Sequence, residues 1–280
     1  MYNQFYGFKE SPFNLTPNSR FFFASHKHTE ALDSLVYAIN QRKGFVVITG
    51  EIGSGKTTVC RTLLNRLDRH TQVALITNTH LSSKDLLMTV LEDLEIEFSN
   101  GGSKARLLSN LNTYLIDQIK QDNNVVLIID EAQNLKPAVL EEIRMLSNLE
   151  TETEKLIQII LLGQPELKQK LALSRLEQLR QRVAVYFHLT PLSEDETKEY
   201  ILHRLKIASG TDHQYMTAEA LQWVFKFSKG VPRLINQICD SAFLTGYITE
   251  TSMIDERIIK EVIEEAPMEQ FGQEKAKEYV

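Results

Sequence analysis

One glycine-rich stretch constrains this chain more than any other feature: Gly50-Glu51-Ile52-Gly53-Ser54-Gly55-Lys56-Thr57-Thr58. A β-rich apolar run, residues 45–49, comes directly before it, and residues 59–67 carry apolar side chains at helical spacing after it. The glycines let the backbone curl so that successive N–H groups point inward, where they can bind phosphate oxygens. Strand, loop and helix in this order are typical of a phosphate-binding loop. We therefore predict that residues 50–58 bind a nucleoside triphosphate.

Two side chains of this loop have expected chemical roles. Lys56 supplies a positive charge for the β- and γ-phosphates, and Thr57 offers its hydroxyl to Mg²⁺. The helix that begins here directs the positive end of its dipole at the same anion. A coincidental glycine-rich turn is the alternative, but it does not account for the strand and helix on either side. The predicted ligands are therefore a nucleoside triphosphate and Mg²⁺.

A pair of carboxylates follows a second buried run. Residues 125–129 are continuously apolar, as in a strand buried on both faces of a parallel sheet, and Asp130 and Glu131 come next. The carboxyl ends of such strands are where α/β folds bind their ligands. We predict that Asp130 holds Mg²⁺ together with Thr57, directly or through water, and that Glu131 orients or deprotonates an attacking water. The alternative is that the pair only caps a helix.

Two amide side chains could act near these carboxylates. Gln164 lies at the end of the apolar run 156–162, where its amide could hold the attacking water or the γ-phosphate. Otherwise it is only a turn residue before Pro165. Asn78 ends the second predicted strand, where it could hydrogen-bond Glu131 and hold that carboxylate off the water until a partner docks.

Three arginines could sense the nucleotide or complete the site. Arg180 and Arg182 come just before the fifth predicted strand, and either could reach the γ-phosphate of a neighbouring subunit as an arginine finger. The alternative for both is a solvated surface charge. Arg233 follows Gly230-Val231-Pro232, and a proline in the first turn of a helix would hold it there, aimed across the domain junction. The alternative role for Arg233 is a salt bridge within the helical lid.

The pattern of runs along the chain predicts the fold. Apolar runs and helical patterns alternate up to about residue 190, which indicates an α/β fold with a three-layer, five-stranded parallel sheet. From residue 192 only helical patterns remain, which indicates an all-helical lid subdomain. We place the boundaries at an N-terminal aromatic arm and helix, 1–43; the nucleotide-binding core, 44–191; the lid, 192–265; and a polar tail, 266–280, that is flexible or binds a partner.

The N-terminal arm is rich in aromatic residues. Residues 1–25 hold eight aromatic side chains, and Pro12 and Pro17 prevent a continuous helix. One interpretation is an arm packed across the surface of the core. The other is that Phe8, Pro12 or Phe13 forms part of an adenine pocket, because apolar and aromatic groups suit a flat base.

Composition and charge indicate where in the cell the protein is located and whether it attracts nucleic acid. The apolar runs are too short to cross a bilayer, and the N terminus lacks the basic start and apolar core of a secretory signal. Cys60 and Cys239 are interpreted as reduced, buried thiols, so we expect a cytoplasmic location. A net charge of −6 gives no overall attraction to nucleic acid. A local basic face remains conceivable, with a candidate strip of Lys168, Lys170, Arg175, Arg180 and Arg182.

These motifs together resemble the AAA+ ATPases, and more closely one branch: the ExeA/GspA-like ATPases of bacterial secretion with the MshM-like proteins of pilus systems. The resemblance covers residues 5 to about 240. It implies that Gln164 is the sensor 1 position and Arg233 the sensor 2 arginine, both sensing the γ-phosphate. The segments that carry it are Phe5-Tyr6-Gly7-Phe8, Pro12-Phe13-Asn14-Leu15-Thr16-Pro17, the loop 50–58, Ile129-Asp130-Glu131-Ala132-Gln133-Asn134-Leu135, Leu162-Gly163-Gln164-Pro165-Glu166-Leu167, Leu179-Arg180-Gln181-Arg182 and Gly230-Val231-Pro232-Arg233-Leu234-Ile235-Asn236.

The resemblance implies a Mg²⁺-dependent ATPase that assembles with itself into a ring or filament. Through an envelope-complex protein, which could recruit it to the inner membrane, it would power or regulate secretion, a pilus or exopolysaccharide export. ExeA-like proteins usually continue into a membrane segment and a peptidoglycan-binding domain, which are not in this sequence, so direct cell-wall binding is not expected. The branch is also similar to TnsC and MuB, which polymerise on DNA with ATP. An ATP-dependent DNA-binding regulator is therefore the alternative, and a pI of about 5.7 counts against it.

Overall fold

The computed structural model describes residues 1–99 and 102–265, and the predicted polar tail lies outside these residues. The strands are β1 (Phe45–Gly50), β2 (Thr71–Ile76), β3 (Asn124–Ile129), β4 (Gln158–Gly163) and β5 (Val185–Leu189). The helices, numbered along the chain, are α1 (Tyr2–Tyr6), α2 (His26–Asn40), α3 (Lys56–Leu64), α4 (Ser83–Asp93), α5 (Lys104–Lys120), α6 (Pro137–Leu146), α7 (Pro165–Leu171), α8 (Glu177–Arg180), α9 (Glu194–Ser209), α10 (Ala218–Ser228), α11 (Pro232–Ile248) and α12 (Glu256–Glu265).

The chain divides into two compact units, each with its own apolar core. The sheet unit comprises His26–Glu51 and Lys56–Leu189. The helical unit comprises Met1–Ser25, Ile52–Gly55 and the described residues from Thr190 to Glu265. This division separates the N-terminal arm from α2, which the sequence placed in one segment, 1–43. The reason is packing, because the aromatic rings of the arm enter the core of the helical unit and α2 packs on α3 and β5.

The sheet unit contains the predicted five-stranded parallel sheet, in the order β2-β3-β4-β1-β5. The three inner strands are the continuously apolar ones, and nearly all of their residues are buried. Helical connections between parallel strands cover both faces of such a sheet, which is why unbroken apolar runs suit its centre. β4 lies between β1 and β3, with Thr49 opposite Gly163 and Ile129 opposite Leu161. The carboxyl ends of β1, β4 and β3 therefore lie side by side.

The outer edge of β2 is partly closed by hydrogen bonds. The N–H of Thr71 donates to the backbone oxygen of Asp68 at 3.2 Å, and the N–H of Leu75 donates to Oδ2 of Asp93 at 2.5 Å. Both groups point away from β3 and would otherwise be open to a further strand. A carboxylate at an edge strand also discourages pairing with another chain.

The helical unit has an aromatic centre on Phe243 of α11. The rings of Tyr6, Phe8 and Phe13 lie 4.9, 5.4 and 5.8 Å from the Phe243 ring, centroid to centroid. Phe13 is 0% exposed, and Phe8 and Pro12 are also buried. A ring in this position has no open face for a base, so this packing does not support the adenine pocket predicted from Phe8, Pro12 and Phe13. Aromatic rings at these distances and in mostly edge-on geometry stabilise the core in which they lie.

Arg204 of α9 binds the N-terminal arm to the helices of the helical unit. Arg204 is 7% exposed. Its guanidinium donates from Nε to the backbone oxygen of Pro12 at 2.5 Å, from Nη2 to that of Asn14 at 3.4 Å and from Nη1 to the Tyr200 hydroxyl at 2.8 Å. Its central carbon also lies 4.8 Å from the centre of the Phe21 ring. The planar fork of arginine suits this set of acceptors better than a single ammonium group would.

We expect Arg204→Ala to destabilise the helical unit by about 2–4 kcal/mol, because buried acceptors would lose a charged donor. Urea unfolding followed by fluorescence measures this directly, since the single tryptophan, Trp223, lies on α10 of the same unit. The matched control is Lys198→Ala on the exposed face of α9, which should change the free energy of unfolding by less than about 0.5 kcal/mol. Equal effects of the two substitutions would contradict the anchoring role.

Candidate functional site

The glycine-rich loop joins β1 to α3 as predicted. β1 ends at Gly50 and α3 begins at Lys56. Gly53 and Gly55 adopt φ angles of 77° and 97°, a left-handed region that glycine enters without steric cost. The positive φ angles explain why glycine suits these two positions of the loop.

Lys56 is held within the loop. Its Nζ donates to the backbone oxygens of Gly50 at 2.7 Å and Glu51 at 2.9 Å, and the residue is 5% exposed. Burial lowers the pKa of the Lys56 ammonium, and the nearby charges of Glu131 and Asp130 oppose that shift. The side chain thus brings a concentrated positive charge to the carboxyl end of the sheet.

Thr57 and Asp130 meet at the predicted metal position. The Thr57 hydroxyl donates to Oδ2 of Asp130 at 2.9 Å, and Oδ1 of Asp130 accepts the backbone N–H of Glu131, also at 2.9 Å. A hydroxyl and a carboxylate are the oxygen ligands that Mg²⁺ prefers, usually with waters and phosphate oxygens completing the shell. Among the described residues there is no cluster of three or more His, Cys, Asp and Glu side chains that would favour a different metal. The donor set therefore fits Mg²⁺.

Glu131 is held by two glutamines. Its Oε2 accepts Nε2–H of Gln133 at 2.6 Å and Nε2–H of Gln164 at 3.2 Å. The backbone of Glu131 has φ 52° and ψ 37°, a left-handed conformation that is uncommon for a residue with a side chain. Unusual backbone geometry of this kind is often found at functional sites. Gln164 thus lies beside the predicted base, at the end of β4.

The predicted hydrogen bond from Asn78 to Glu131 is absent from the described residues, and that prediction is wrong. Oδ1 of Asn78 instead accepts the backbone N–H of His80 at 3.1 Å, and the side chain is exposed. The side-chain oxygen of Asn78 is thus used in a local turn. Gln133, which the sequence analysis did not single out, takes its place. The available signal was an amide side chain two residues after the carboxylate pair.

The three arginines lie in different places. Arg233 is in the first turn of α11, and its backbone N–H donates to the oxygen of Gly53 at 3.2 Å, within the helical unit. A methyl group added at Gly53 would overlap Cβ of Arg233. Arg180 is exposed, with Nη1 donating to the backbone oxygen of Ala172 at 3.2 Å. Arg182 is half-buried in the sheet unit. No hydrogen bond joins Arg180 or Arg182 to the loop within the described residues.

The geometry agrees with a family match. The family model described as an AAA domain matches residues 39–171, which include the loop, both carboxylates and Gln164. Over these residues the chain is similar to the AAA domain family. The match begins in α2 and ends in α7, so it lies within the strands and helices that build the site.

Relatives of the AAA domain include a secretion protein. The chain is 40% identical over 247 residues to General secretion pathway protein A of Aeromonas hydrophila, a match that covers 88% of this chain and 45% of that protein. The chain thus spans less than half the length of this curated relative. The predicted resemblance to the ExeA/GspA-like branch of AAA+ ATPases is confirmed.

Solved structures share the fold of the AAA domain and its helical partner. The ORC2 protein of Aeropyrum pernix matches with a TM-score of 0.69 and 14% identity, over 92% of this chain and 72% of that one. Cdc6p from Pyrobaculum aerophilum matches with a TM-score of 0.67 and 18% identity, over 95% of this chain and 71% of that one. At these identities the likeness concerns the fold alone, and the predicted AAA+ fold is confirmed. In residues 1–99 and 102–265, no helix combines the length and apolarity needed to cross a bilayer.

Cys60 lies on α3, four residues after Lys56, and is 3% exposed. Burial, with a smaller contribution from the charge of Asp130, raises the pKa of its thiol to about 12. Burial raises the pKa of the Cys239 thiol as well. Both cysteines are free and buried, as the sequence indicated.

We expect neither thiol to react with iodoacetamide in the folded protein at pH 8, because burial shields both thiols and raises the pKa of each, which disfavours the reactive thiolate. Intact mass before and after labelling gives the number of modified cysteines. The same protein labelled in urea is the control and should take two labels. Rapid labelling of Cys60 under folding conditions would show that α3 is more accessible than its burial indicates.

Proposed function

We propose that this protein hydrolyses ATP to ADP and phosphate with Mg²⁺. The observation that carries the proposal is the grouping of Lys56, the Thr57–Asp130 pair and Glu131 at the carboxyl end of the parallel sheet. Phosphoryl transfer depends mainly on positioning and on stabilisation of spread negative charge, and these residue types supply both. The second carboxylate favours hydrolysis, because a protein that only carries nucleotide has no need for a base beside the metal ligand.

Each residue has a distinct task in this mechanism. The inward N–H groups of loop 50–58 and the Lys56 ammonium bind the β- and γ-phosphates. Thr57 and Asp130 hold Mg²⁺, which when bound neutralises charge on the phosphate oxygens. Glu131 orients a water for attack on the γ-phosphorus and accepts its proton as the bond to the leaving ADP oxygen breaks. Gln164 and Arg233 sense the γ-phosphate.

Two comparisons support the identity of the nucleotide and the setting. The ORC2 structure of similar fold was determined as ADPNP and ADP complexes, which supports an adenine nucleotide here. The name of the 40% identical relative, a general secretion pathway protein, supports work on a bacterial envelope system. We propose that the chain assembles with itself and acts through an envelope protein partner in secretion, a pilus or exopolysaccharide export. Its place would be the cytoplasmic side of the inner membrane.

The DNA-binding alternative draws less support from the candidate basic strip. Nζ of Lys170 donates to the backbone oxygens of Gln133 and Leu135, and Arg180 donates to that of Ala172. Lys170 and Arg180 are therefore hydrogen-bonded within the protein, Lys168 lies over the Tyr186 ring, and the net charge is −6. Binding to DNA depends on clustered cations that neutralise phosphates. We therefore rank it second.

Substitutions at Lys56 and Glu131 test the proposed reaction. We expect Lys56→Ala to weaken binding of a fluorescent ATP analogue by about 100-fold or more, because the charge on the phosphates is lost. Glu131→Gln should bind the analogue normally and release phosphate about 100-fold more slowly, because an amide cannot accept the proton. The matched controls are Lys84→Ala and Glu152→Gln, both exposed and in the sheet unit. Wild-type turnover by Glu131→Gln would remove the assignment of the base.

Mixing variants tests the proposed arginine finger. Arg182→Ala, or Arg180→Ala if that residue is the finger, should lose about 100-fold or more in turnover. Adding the Glu131→Gln protein should restore phosphate release, because each Glu131→Gln subunit supplies an intact arginine to a neighbour that retains its base. Arg175→Ala, an exposed arginine in the same segment, is the control. If neither Arg180→Ala nor Arg182→Ala loses activity, the residue that acts between subunits is a different one.

A further inference from the structure

Gln133 connects the proposed base to the residue that follows β4. It lies in the 3₁₀ turn Ala132–Asn134, directly after Glu131. Its Nε2–H donates to Oε2 of Glu131 at 2.6 Å, and its Oε1 accepts the backbone N–H of Gln164 at 3.0 Å. Both ends of one amide are thus used, one on the carboxylate and one on the backbone of the sensor position. A side chain with two directed hydrogen bonds of this kind has little rotational freedom.

The surroundings of Gln133 fix it further. Nζ of Lys170 on α7 donates to the backbone oxygen of Gln133 and, at 2.9 Å, to that of Leu135, so the turn itself is tied to α7. At Gly163, the last residue of β4, an added Cβ would lie 3.0 Å from Oε1 of Gln133 and 2.7 Å from Leu167. The absence of a side chain at Gly163 therefore gives the amide of Gln133 its place beside β4.

The two amide donors meet the same oxygen of Glu131. Gln133 and Gln164 both donate to Oε2, whereas Oε1 has no hydrogen bond from another described residue. A carboxylate bonded on one oxygen cannot turn freely about its last bond, so the other oxygen points in one direction. The backbone of Glu131 is in the uncommon left-handed region, which sets the direction in which the side chain leaves the main chain. The hydrogen bonds to Oε2 then fix where the carboxylate lies.

We infer that Gln133 is a positioning residue for hydrolysis: it holds Oε2 of Glu131 so that Oε1 is the atom that accepts the proton of the attacking water. This rests on the proposed function, because it assigns no task to Gln133 outside the reaction at Glu131. Gln164 contributes a second donor to the same oxygen, but it also has a proposed role toward the γ-phosphate. Gln133 acts only through Glu131 and through the backbone of Gln164, so its contribution can be separated by substitution.

Two substitutions separate the contacts of Gln133. Gln133→Leu removes both the donor and the acceptor at nearly constant volume. Gln133→Glu keeps an oxygen for the N–H of Gln164 but replaces the donor with a carboxylate oxygen that faces Glu131. If the donor positions the base, both variants should lose about tenfold or more in kcat, because loss of one charge-assisted hydrogen bond is worth at least a factor of ten. KM for ATP and binding of the fluorescent analogue should stay within about twofold, because the loop 50–58 is unchanged.

A matched control and two outcomes decide whether Gln133 positions Glu131. Gln169→Leu, the same substitution at an exposed position of α7, should leave kcat unchanged. Wild-type kcat in Gln133→Glu with a loss only in Gln133→Leu would overturn the inference, since it would mean that Gln133 serves only to hold Gln164. Faster turnover in either variant would also overturn it, because the contact would then restrain the base. Thermal melting of each variant detects misfolding. If Gln133→Leu unfolds, Gln133→Glu, which matches glutamine in shape, still tests the inference.

Failure of the inference is distinguishable from failure of the proposed function. If wild-type protein releases phosphate and Glu131→Gln does not, the proposed function holds, and unchanged kcat in both Gln133 variants then overturns the inference alone. If wild-type protein binds the ATP analogue but releases no phosphate, at protein concentrations that allow assembly, the proposed hydrolysis fails and the role of Gln133 fails with it.

Discussion

The hydrogen bond between the Thr57 hydroxyl and the Asp130 carboxylate joins parts of the chain that follow β1 and β3, two strands that are not neighbours in the sheet. β4 lies between them. The residue that follows β4, Gln164, is therefore placed beside Glu131. The whole candidate site depends on this strand order, since it brings three separate polar segments to one edge. The loop, the carboxylates and the amide of Gln164 are far apart in sequence. They meet because β4 lies between β1 and β3 in the sheet.

The apolar strands make that arrangement rigid. β1 and β4 are buried along their full length, and β3 is buried from its second residue onward. β3 and β4 each end just before a polar residue, Asp130 and Gln164, and β1 ends at Gly50, where the glycine-rich loop begins. Burial of one large apolar side chain stabilises the folded state by about 1.5–3 kcal/mol. Because these strands bury many such side chains, the core can offset the cost of placing charged groups at the ends of the strands. Several polar groups there are hydrogen-bonded to one another or to backbone groups, as buried polar atoms generally are.

Much of this could be predicted from sequence, and the exceptions have physical reasons. The loop, both carboxylates and the inner strands follow from local patterns of apolar runs and glycine, which are properties of a few consecutive residues. The partner of Glu131 does not follow in this way. Asn78 and Gln133 are both amides near the end of a strand, and only the local turn at His80 and the 3₁₀ turn after Glu131 decide which one reaches the carboxylate. The position of the N-terminal arm could not be predicted either, because aromatic residues suit both a base and a core. The packing around Phe243 favours the core.

The partly closed edge of β2 has a consequence for how copies of the chain could associate. Thr71 and Leu75 have their outward N–H groups occupied by Asp68 and Asp93, so this side of the sheet offers few free donors to an incoming strand. A sheet that ran on from one molecule to the next across β2 would have to break these bonds and bring a backbone up to a negative charge. Amyloid-like stacking is discouraged at this edge for the same reason. If copies of the chain met at this edge, the contact would have to be made by side chains and not by an extended sheet.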